Sequence, residues 1–217
     1  MGQALWLSLQ ISLLATLVAL LVGGALAWLL ASRRFVGRDL LDAAVTTLLV
    51  LPPTVLGYYL LVGIGPASGI GRAFEGVFHR SIAFTRLGAV VAATVGALPL
   101  VVRTARTAFE TVDPVLLGVA RTLGAGRWRT LWSVHLPLAA PGLAAAGLLA
   151  FARSLGDFGM TMMVAGNMPG ETQTAALFVY DALGTGDDMA AGGMAALLLA
   201  VGLAVSFAVI TLERRRG

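Results

Sequence analysis

The chain reads Asp113-Pro-Val-Leu-Leu-Gly-Val-Ala-Arg-Thr-Leu-Gly-Ala-Gly-Arg-Trp-Arg-Thr-Leu-Trp-Ser-Val-His-Leu-Pro137 between two long apolar stretches. This 113–137 segment is basic and amphipathic, too polar to lie within lipid and too regularly patterned to be a linker. Asp113 and Pro114 predict a helix start, because the carboxylate can accept from free backbone N–H groups and proline tolerates the first helical position. We therefore expect an ordered segment that is available to a soluble partner.

The pattern predicts two short helices within the 113–137 segment. Four apolar residues share one face of the first helix: Leu116, Val119, Ala120 and Leu123. Gly124 and Gly126 are expected to interrupt it. Residues 127–134 can form the second helix, with Trp128, Leu131 and Trp132 as its apolar contacts, and Pro137 is expected to end it. The residues alone leave a second interpretation open, in which the pair lies on lipid headgroups with its arginines toward the phosphates.

Composition identifies lipid as the main solvent. The chain is 58% hydrophobic and only 12% charged, which is typical of a polytopic membrane protein. It contains no cysteine, which excludes disulfides, thiolate metal sites and cysteine nucleophiles. Its net charge of +4 comes from arginine, because lysine is absent. In a membrane protein this balance indicates cytoplasmic loops rather than a nucleic-acid partner.

Five apolar runs are long enough to cross a bilayer, which needs roughly 20 residues of helix. They cover approximately residues 5–30, 43–64, 87–102, 138–164 and 189–212. The first is too long for a signal peptide and lacks a basic n-region, so we expect a retained helix and a chain that starts near Met1. The third is expected to continue toward Glu110. With no linker composition anywhere, the sequence predicts an all-α, polytopic membrane protein with one domain, residues 1–217.

Arginine positions predict the orientation, because basic residues near span ends are retained in the cytoplasm. One side holds Arg33, Arg34, Arg38, Arg103, Arg106, Arg121, Arg127, Arg129, Arg214, Arg215 and Arg216. The other side holds Arg72, Arg80 and Arg86. The N-terminus is therefore expected outside and the C-terminus in the cytoplasm. The 113–137 segment is then cytoplasmic, whereas residues 65–86 and 166–188 face the outside.

The 113–137 segment resembles the EAA loop of ABC importer permeases. That pattern is Glu-Ala-Ala, three residues, Gly, nine residues, Ile, one residue and Leu-Pro. Here the run Val119-Ala120, Gly124, Val134 and Leu136-Pro137 keeps this spacing throughout. Two positions depart from it, because Gly118 replaces the usual Glu and Val119 replaces the first Ala. The missing carboxylate removes any ion pair from position 118, and glycine weakens a helix by about 1 kcal/mol relative to alanine.

Further runs resemble the molybdate permease subunits of ABC importers. They are Leu51-Pro-Pro-Thr-Val-Leu-Gly-Tyr-Tyr-Leu-Leu61, Ala97-Leu-Pro-Leu-Val-Val-Arg103, Phe151-Ala-Arg-Ser-Leu-Gly-Asp-Phe-Gly159 and Val164-Ala-Gly-Asn-Met-Pro-Gly-Glu-Thr-Gln-Thr174. With the EAA-like loop, the resemblance extends from about residue 40 to 180. Sulfate permeases share the general layout. Asp157 stands where the family pattern has Glu.

The resemblance implies a type I ABC importer permease fold with cytoplasmic coupling helices. It implies a homodimer in a bacterial plasma membrane, two cytoplasmic ATPase subunits docked on those helices, and an extracytoplasmic oxyanion-binding protein that delivers the substrate. The chain itself would be non-catalytic and bind no cofactor, with ATP and Mg²⁺ held by the ATPase. It has no lysine and hence no phosphate-binding P-loop.

The candidate site residues form two groups. The expected ATPase-coupling residues are Gly118, Val119, Ala120, Arg121, Gly124, Ala125, Arg127, Trp128, Leu136 and Pro137. The expected translocation pathway or gate residues are Pro52, Pro53, Thr54, Tyr58, Arg153, Asp157, Thr161 and Asn167. By physical reasoning alone, the proline doublet forces a kink whose freed carbonyls need new partners. Arg153 and Asp157, one helical turn apart within a span, are expected to pair with each other.

Other functions remain open at this point. A sulfate or tungstate importer fits the same patterns, because these dianions are tetrahedral and similar in size. A secondary transporter would show more intramembrane ionisable groups or an internal repeat. A membrane scaffold without transport is a third alternative. His79 and His135 lack ligand spacing, so no metal site is expected.

The orientation can be tested by cysteine labelling, since the chain has no native cysteine. A membrane-impermeant maleimide is expected to label Ala67→Cys in intact cells and to label Ser133→Cys only after permeabilisation. Labelling of Ser133→Cys in intact cells would contradict the assigned orientation.

Overall fold

A computed structural model describes residues 1–32 and 35–214, and all regular secondary structure within these ranges is helical. The helices are α1 (Gly2–Ser32), α2 (Arg38–Val50), α3 (Pro53–Ile64), α4 (Gly69–Phe78), α5 (Arg86–Glu110), α6 (Pro114–Thr122), α7 (Arg127–Thr130), α8 (Leu136–Leu155), α9 (Gly159–Ala165), α10 (Ala175–Thr185) and α11 (Asp188–Arg214). A π-helical turn, Leu131–His135, joins α7 to α8. Four residues used to predict orientation lie outside the described residues: Arg33, Arg34, Arg215 and Arg216.

The predicted all-α membrane architecture is confirmed. Within the described residues, four helices are long and apolar enough to cross a membrane: α1, α5, the continuous helix from Arg127 to Leu155, and α11. The pair α2 and α3 makes a fifth if the two are counted as one span. α5 ends at Glu110, where the sequence predicted that the third helix would end.

Helices α1, α5 and α8 form the centre of the bundle. Their contacts consist largely of alanine, and small side chains let helix backbones approach closely within a membrane, where van der Waals packing drives association. The fully buried alanines are Ala15, Ala19 and Ala27 of α1, Ala89, Ala92, Ala97 and Ala105 of α5, and Ala139, Ala146 and Ala150 of α8. This rigid centre supports the shorter helices around it.

The second predicted span is broken, not merely kinked. α2 and α3 meet at an angle of 118°. Pro52 and Pro53 cannot donate backbone hydrogen bonds, so α2 ends where the Leu51 N–H bonds to the Thr47 carbonyl. Pro53 then occupies the first turn of α3, where a missing N–H costs nothing. The sequence predicted a kink at the proline doublet within residues 43–64, and the chain bends there, more sharply than a kink.

The fourth predicted span also differs from the expectation. Pro137 does not end a helix, because the chain stays helical from Arg127 to Leu155 and widens into the π-helical turn just before the proline. The Leu136 N–H bonds to the Leu131 carbonyl across that turn. The wider π-helical turn lets the helix continue although Pro137 has no backbone N–H to donate. The span instead breaks at residues 156–158, between α8 and α9.

The two broken segments pack directly on each other through glycine. A Cβ atom built on Gly57 of α3 would lie 2.9 Å from the Met163 Cβ and 3.1 Å from the Met160 Cα of α9. A Cβ on Gly159 of α9 would lie 3.2 Å from the Pro53 Cβ. These spacings leave no room for side chains, so α3 and α9 form one closely packed unit.

We expect Gly57→Val to lower the free energy of unfolding by about 1 to 3 kcal/mol, because overpacking displaces the α9 backbone. The matched control is Gly63→Val on the same helix, where no atom lies within 4 Å of the added Cβ. Thermal melting of the purified chain in detergent measures both variants. Equal melting temperatures would contradict the close packing of α3 on α9.

Candidate functional site

The start of α6 has the geometry that the sequence predicted. The Asp113 Oδ1 accepts a hydrogen bond of 2.8 Å from the Val115 N–H, and Pro114 occupies the first turn. A carboxylate at this position also interacts favourably with the helix dipole. A nine-residue helix is too short to be stable on its own. The cap and its packing on the bundle therefore hold α6 in place.

α6 turns one apolar face away from the bundle. Val115, Val119 and Leu123 follow one another at a spacing of four residues, and Leu116 lies beside them. Val119 is 50% exposed and Leu123 is 82% exposed. Leu117, on another face, packs on the cluster around Phe109. Three of the four residues predicted to share a face are therefore exposed together, whereas Ala120 is half-buried.

Gly124 forms the turn between α6 and α7. Its φ of +83° lies in the left-handed region, which glycine adopts without steric cost. The Ala125 N–H bonds to the Ala120 carbonyl at 3.0 Å and the Gly124 N–H bonds to the Arg121 carbonyl at 3.0 Å. These two bonds make a Schellman motif, which satisfies the carbonyls at the end of α6. Gly126 then serves as the N-cap of α7.

The second half of the 113–137 segment is attached to the bundle at three points. The Trp128 ring packs on Trp28 of α1 with 5.8 Å between centroids. Leu131 is buried, as expected for an apolar contact. His135 is buried and its Nε2 lies 3.1 Å from the Phe109 carbonyl oxygen in the last turn of α5. Trp132, also predicted to be a contact, is exposed.

Sequence reasoning missed the structural role of His135, because a single histidine with no partner nearby in sequence gave no signal of it.

A cavity of about 450 Å³ lies next to His135, between the ends of α1 and α5 and the 113–137 segment. Arg121 and Arg127 line this cavity. Leu136 and Pro137, the last two predicted coupling residues, begin α8. Gly118 is exposed, and a Cβ added there would have no neighbour within 4 Å.

The break between α8 and α9 is organised by Asp157. Its Oδ1 accepts from the Arg153 Nη1 at 3.0 Å, so the predicted ion pair is present. Its Oδ2 accepts from the Thr161 backbone N–H at 3.0 Å and from the Thr161 hydroxyl at 2.7 Å. The Asp157 side chain is 1% exposed and that of Arg153 is 31% exposed. The Arg153 guanidinium offsets the negative charge of the buried Asp157 carboxylate. The two bonds from Thr161 make the same carboxylate a cap on the first turn of α9.

Six of the eight predicted pathway residues lie at this break or at the neighbouring break between α2 and α3. Gly159 contacts Pro53 and Thr54 across the interface of α3 with α9, next to Asp157 and Thr161. Arg153 lies with its guanidinium against Gly96 of α5, which sequence reasoning did not single out. Pro52 is the N-cap of α3.

The other two predicted pathway residues stand apart from the break. Tyr58 is exposed and packs edge-on against Tyr59. Asn167 follows the end of α9, and its buried Oδ1 has no hydrogen-bond partner among the described residues.

The loop after α9 closes the opposite end of the bundle from the 113–137 segment. Arg86, the first residue of α5, donates from its Nε to the Glu171 carbonyl at 3.1 Å and from its Nη2 to the Gly170 carbonyl at 3.0 Å. Among the residues that the structure describes, no group of three His, Cys, Asp or Glu side chains could hold a metal ion.

The family model for the binding-protein-dependent transport system inner membrane component matches residues 11–216. The chain belongs to this family. Molybdenum transport system permease protein ModB of Escherichia coli (strain K12) is 48% identical over 183 residues, which cover 84% of this chain and 80% of that protein. Sulfate transport system permease protein CysT of the same strain is 35% identical over 212 residues, covering 96% and 76%.

A solved structure supports the fold of this inner membrane component. The inward-facing MetNI methionine ABC transporter aligns with a TM-score of 0.74 and 20% sequence identity, over 99% of this chain and 94% of that one. The chain thus has the ABC importer permease fold that the resemblance implied. As a member of its family, it is a multi-pass membrane component of a transport system, and its relatives are permease subunits.

Removing the positive partner of Asp157 is expected to destabilise the permease. Arg153→Met keeps the side-chain volume but leaves a buried carboxylate without its cation, a change that typically costs about 3 to 5 kcal/mol. Arg153→Lys retains the charge and is expected to lose less. Melting temperatures of the purified variants give the comparison. A methionine variant as stable as wild type would show that the pair does not hold the break together.

Proposed function

We propose that the chain is the transmembrane subunit of an ATP-driven importer that moves molybdate into the cytoplasm. The observation that carries the proposal is the exposed apolar face of α6, capped by Asp113 and closed by the Gly124 turn. An apolar face of this kind is costly in water and calls for a partner. The similarity to molybdenum permeases favours molybdate as the substrate.

In this proposal the partner on α6 is a cytoplasmic ATPase. Ala120, Gly124 and Ala125 form the turn that shapes the docking element, with Gly118 and Val119 on its surface. Trp128 packs the element on α1, and Arg121 and Arg127 line the neighbouring cavity. Leu136 and Pro137 connect it to α8. Two ATPases bind one permease dimer, and they hold the ATP and Mg²⁺.

The proposed pathway follows the two broken spans. Irregular backbone at membrane depth is tolerated where it is buried in protein or lines a water-filled cavity. Pro53 and Thr54 after one break pack on Gly159, which lies between Asp157 and Thr161 in the sequence of the other. Pro52 is the N-cap of α3. Arg153 is held by its carboxylate, so its role is to stabilise the break and not to bind the anion tightly. Tyr58 and Asn167 lie further along the proposed route.

Transport follows from relative movement of these parts. Closure of the ATPases on ATP draws the docking elements together, and the continuous helix from Arg127 to Leu155 carries that movement toward the break at residues 156–158. An extracytoplasmic binding protein delivers the dianion at the opposite end. We place the N-terminus outside, the C-terminus in the cytoplasm, and residues 1–217 in one domain of a bacterial plasma-membrane protein.

Leu123→Asp tests the docking face. Leu123 is 82% exposed, so the substitution leaves the permease fold intact while it places a charge at the C-terminal end of the apolar face. We expect the ATPase to co-purify with wild type and to be lost from Leu123→Asp. The control is Thr122→Asp, which adds the same charge at an exposed position of the same helix outside that face and is expected to retain the ATPase. Retention by both variants would refute docking on this face.

Sulfate is the second candidate substrate, supported by the 35% identity to a sulfate permease. Uptake into proteoliposomes with the ATPase and the binding protein distinguishes it. We expect molybdate uptake to depend on ATP. An excess of tungstate is expected to reduce this uptake, and the same excess of sulfate to reduce it much less. Stronger competition by sulfate would reassign the substrate, and uptake by the chain without ATP would indicate a secondary transporter.

A further inference from the structure

Helix α4 is the most clearly amphipathic element that the proposed transport mechanism does not use. The Ser68 hydroxyl caps it by accepting from the Gly71 N–H at 2.8 Å, and it ends at His79, whose φ is +53°. α4 connects α3 to α5, at the far end of α5 from the 113–137 segment. A helix of 25 residues is roughly 37 Å long, so α4 lies about one bilayer thickness away from that segment.

One face of α4 is entirely apolar. Ile70, Phe74 and Val77 follow at spacings of four and three residues, and Phe78 extends the row. The Phe74 and Phe78 rings stack with 4.5 Å between centroids. The opposite face carries Arg72 and Glu75, both exposed.

Within the described part of the chain most of this apolar face is uncovered, and Phe74 is half-buried. α4 packs on the adjoining end of α3 through Gly71, where an added Cβ would overlap the Gly65 carbonyl, so the contact is backbone against backbone. Val77 is 70% exposed, and Ile70 and Phe78 are exposed to a similar extent. The contact with the bundle thus lies along the glycine edge of the helix.

The position of α4 directly after the apolar helix α3 points to lipid as the partner that covers its apolar face. α4 begins five residues after Ile64, the last residue of the apolar helix α3, and in the proposed orientation this end of α3 faces the outer surface. α3 itself exposes Tyr59 and Val62, an apolar surface that runs up to α4. Basic residues flank the helix face, with Arg72 on the polar side and Arg80 just beyond the end. In-plane amphipathic helices combine these features.

We propose that α4 is an interfacial anchor that lies in the plane of the outer bilayer surface. Ile70, Phe74, Val77 and Phe78 enter the acyl boundary, while Arg72 and Glu75 face water. The anchor fixes the outer end of α3, so the α3 and α9 unit moves against a point held in the membrane. The sequence predicted only that residues 65–86 face the outside, and this assignment adds a contact with the membrane surface for α4.

Site-directed spin labelling tests the anchor, since the chain has no native cysteine. Val77→Cys and the matched control Glu75→Cys on the opposite face are labelled in the full-length chain, reconstituted in liposomes of phosphatidylethanolamine and phosphatidylglycerol. Collision rates with oxygen, which concentrates in lipid, and with a water-soluble nickel chelate are then measured. We expect the ratio of oxygen to nickel collisions to be several-fold higher at residue 77 than at residue 75.

Three results would overturn the proposal. Equal ratios at both positions would place the apolar face in water. Protection of residue 77 from both reagents, with spin–spin broadening between copies, would assign the face to a second copy of the chain. Protection that requires an added binding protein would assign it to that protein. None of these results depends on which anion is transported, so the substrate assignment is tested separately.

Discussion

The buried Asp157 carboxylate is the interaction on which the arrangement of the broken spans depends. Residues 156–158 interrupt a membrane helix, and an interruption leaves backbone donors without their helical partners in a medium that offers no water. Asp157 accepts from Thr161 on the far side of the break and from Arg153 on the near side. The Asp157 side chain therefore links α8 to α9, and Arg153 offsets its charge.

The second break has no such side chain and depends on the first. Pro52 and Pro53 end α2, and the α3 segment that follows is held by the glycine contacts with α9. α9 is positioned by Asp157, so the two breaks form one structural unit beside α5. The 113–137 segment lies at the other end of the continuous helix from Arg127 to Leu155. That helix is a direct mechanical connection between the proposed docking face and the proposed pathway.

Much of this fold could be predicted from the sequence because lipid imposes simple rules. Apolar runs gave the helices, and the spacing of Arg153 and Asp157 gave their ion pair. The helix start at Asp113 and the Gly124 turn followed from local backbone chemistry. These features depend on residues close in sequence, or on hydropathy alone.

The features that were missed depend on contacts between distant segments. The 118° angle between α2 and α3 is supported by packing on α9, which no local pattern reveals. Arg153 and Asp157 lie within residues 138–164, but their spacing was interpreted as an ion pair inside one continuous helix, so the interruption was missed. Pro137 was expected to end a helix, but the π-helical turn before it keeps the helix continuous. His135 joins α5 to this turn only in three dimensions.

The central claim is that an ATPase binds the apolar face of α6. The most direct measurement is photo-crosslinking in native membranes, with a photoreactive amino acid placed at Leu123 on the exposed face or at Leu117 on the packed face. The account predicts a crosslink to the ATPase subunit from position 123 and a crosslink within the permease from position 117. Crosslinks from position 123 to lipid alone would contradict it, because they would place the 113–137 segment on the bilayer surface without a partner.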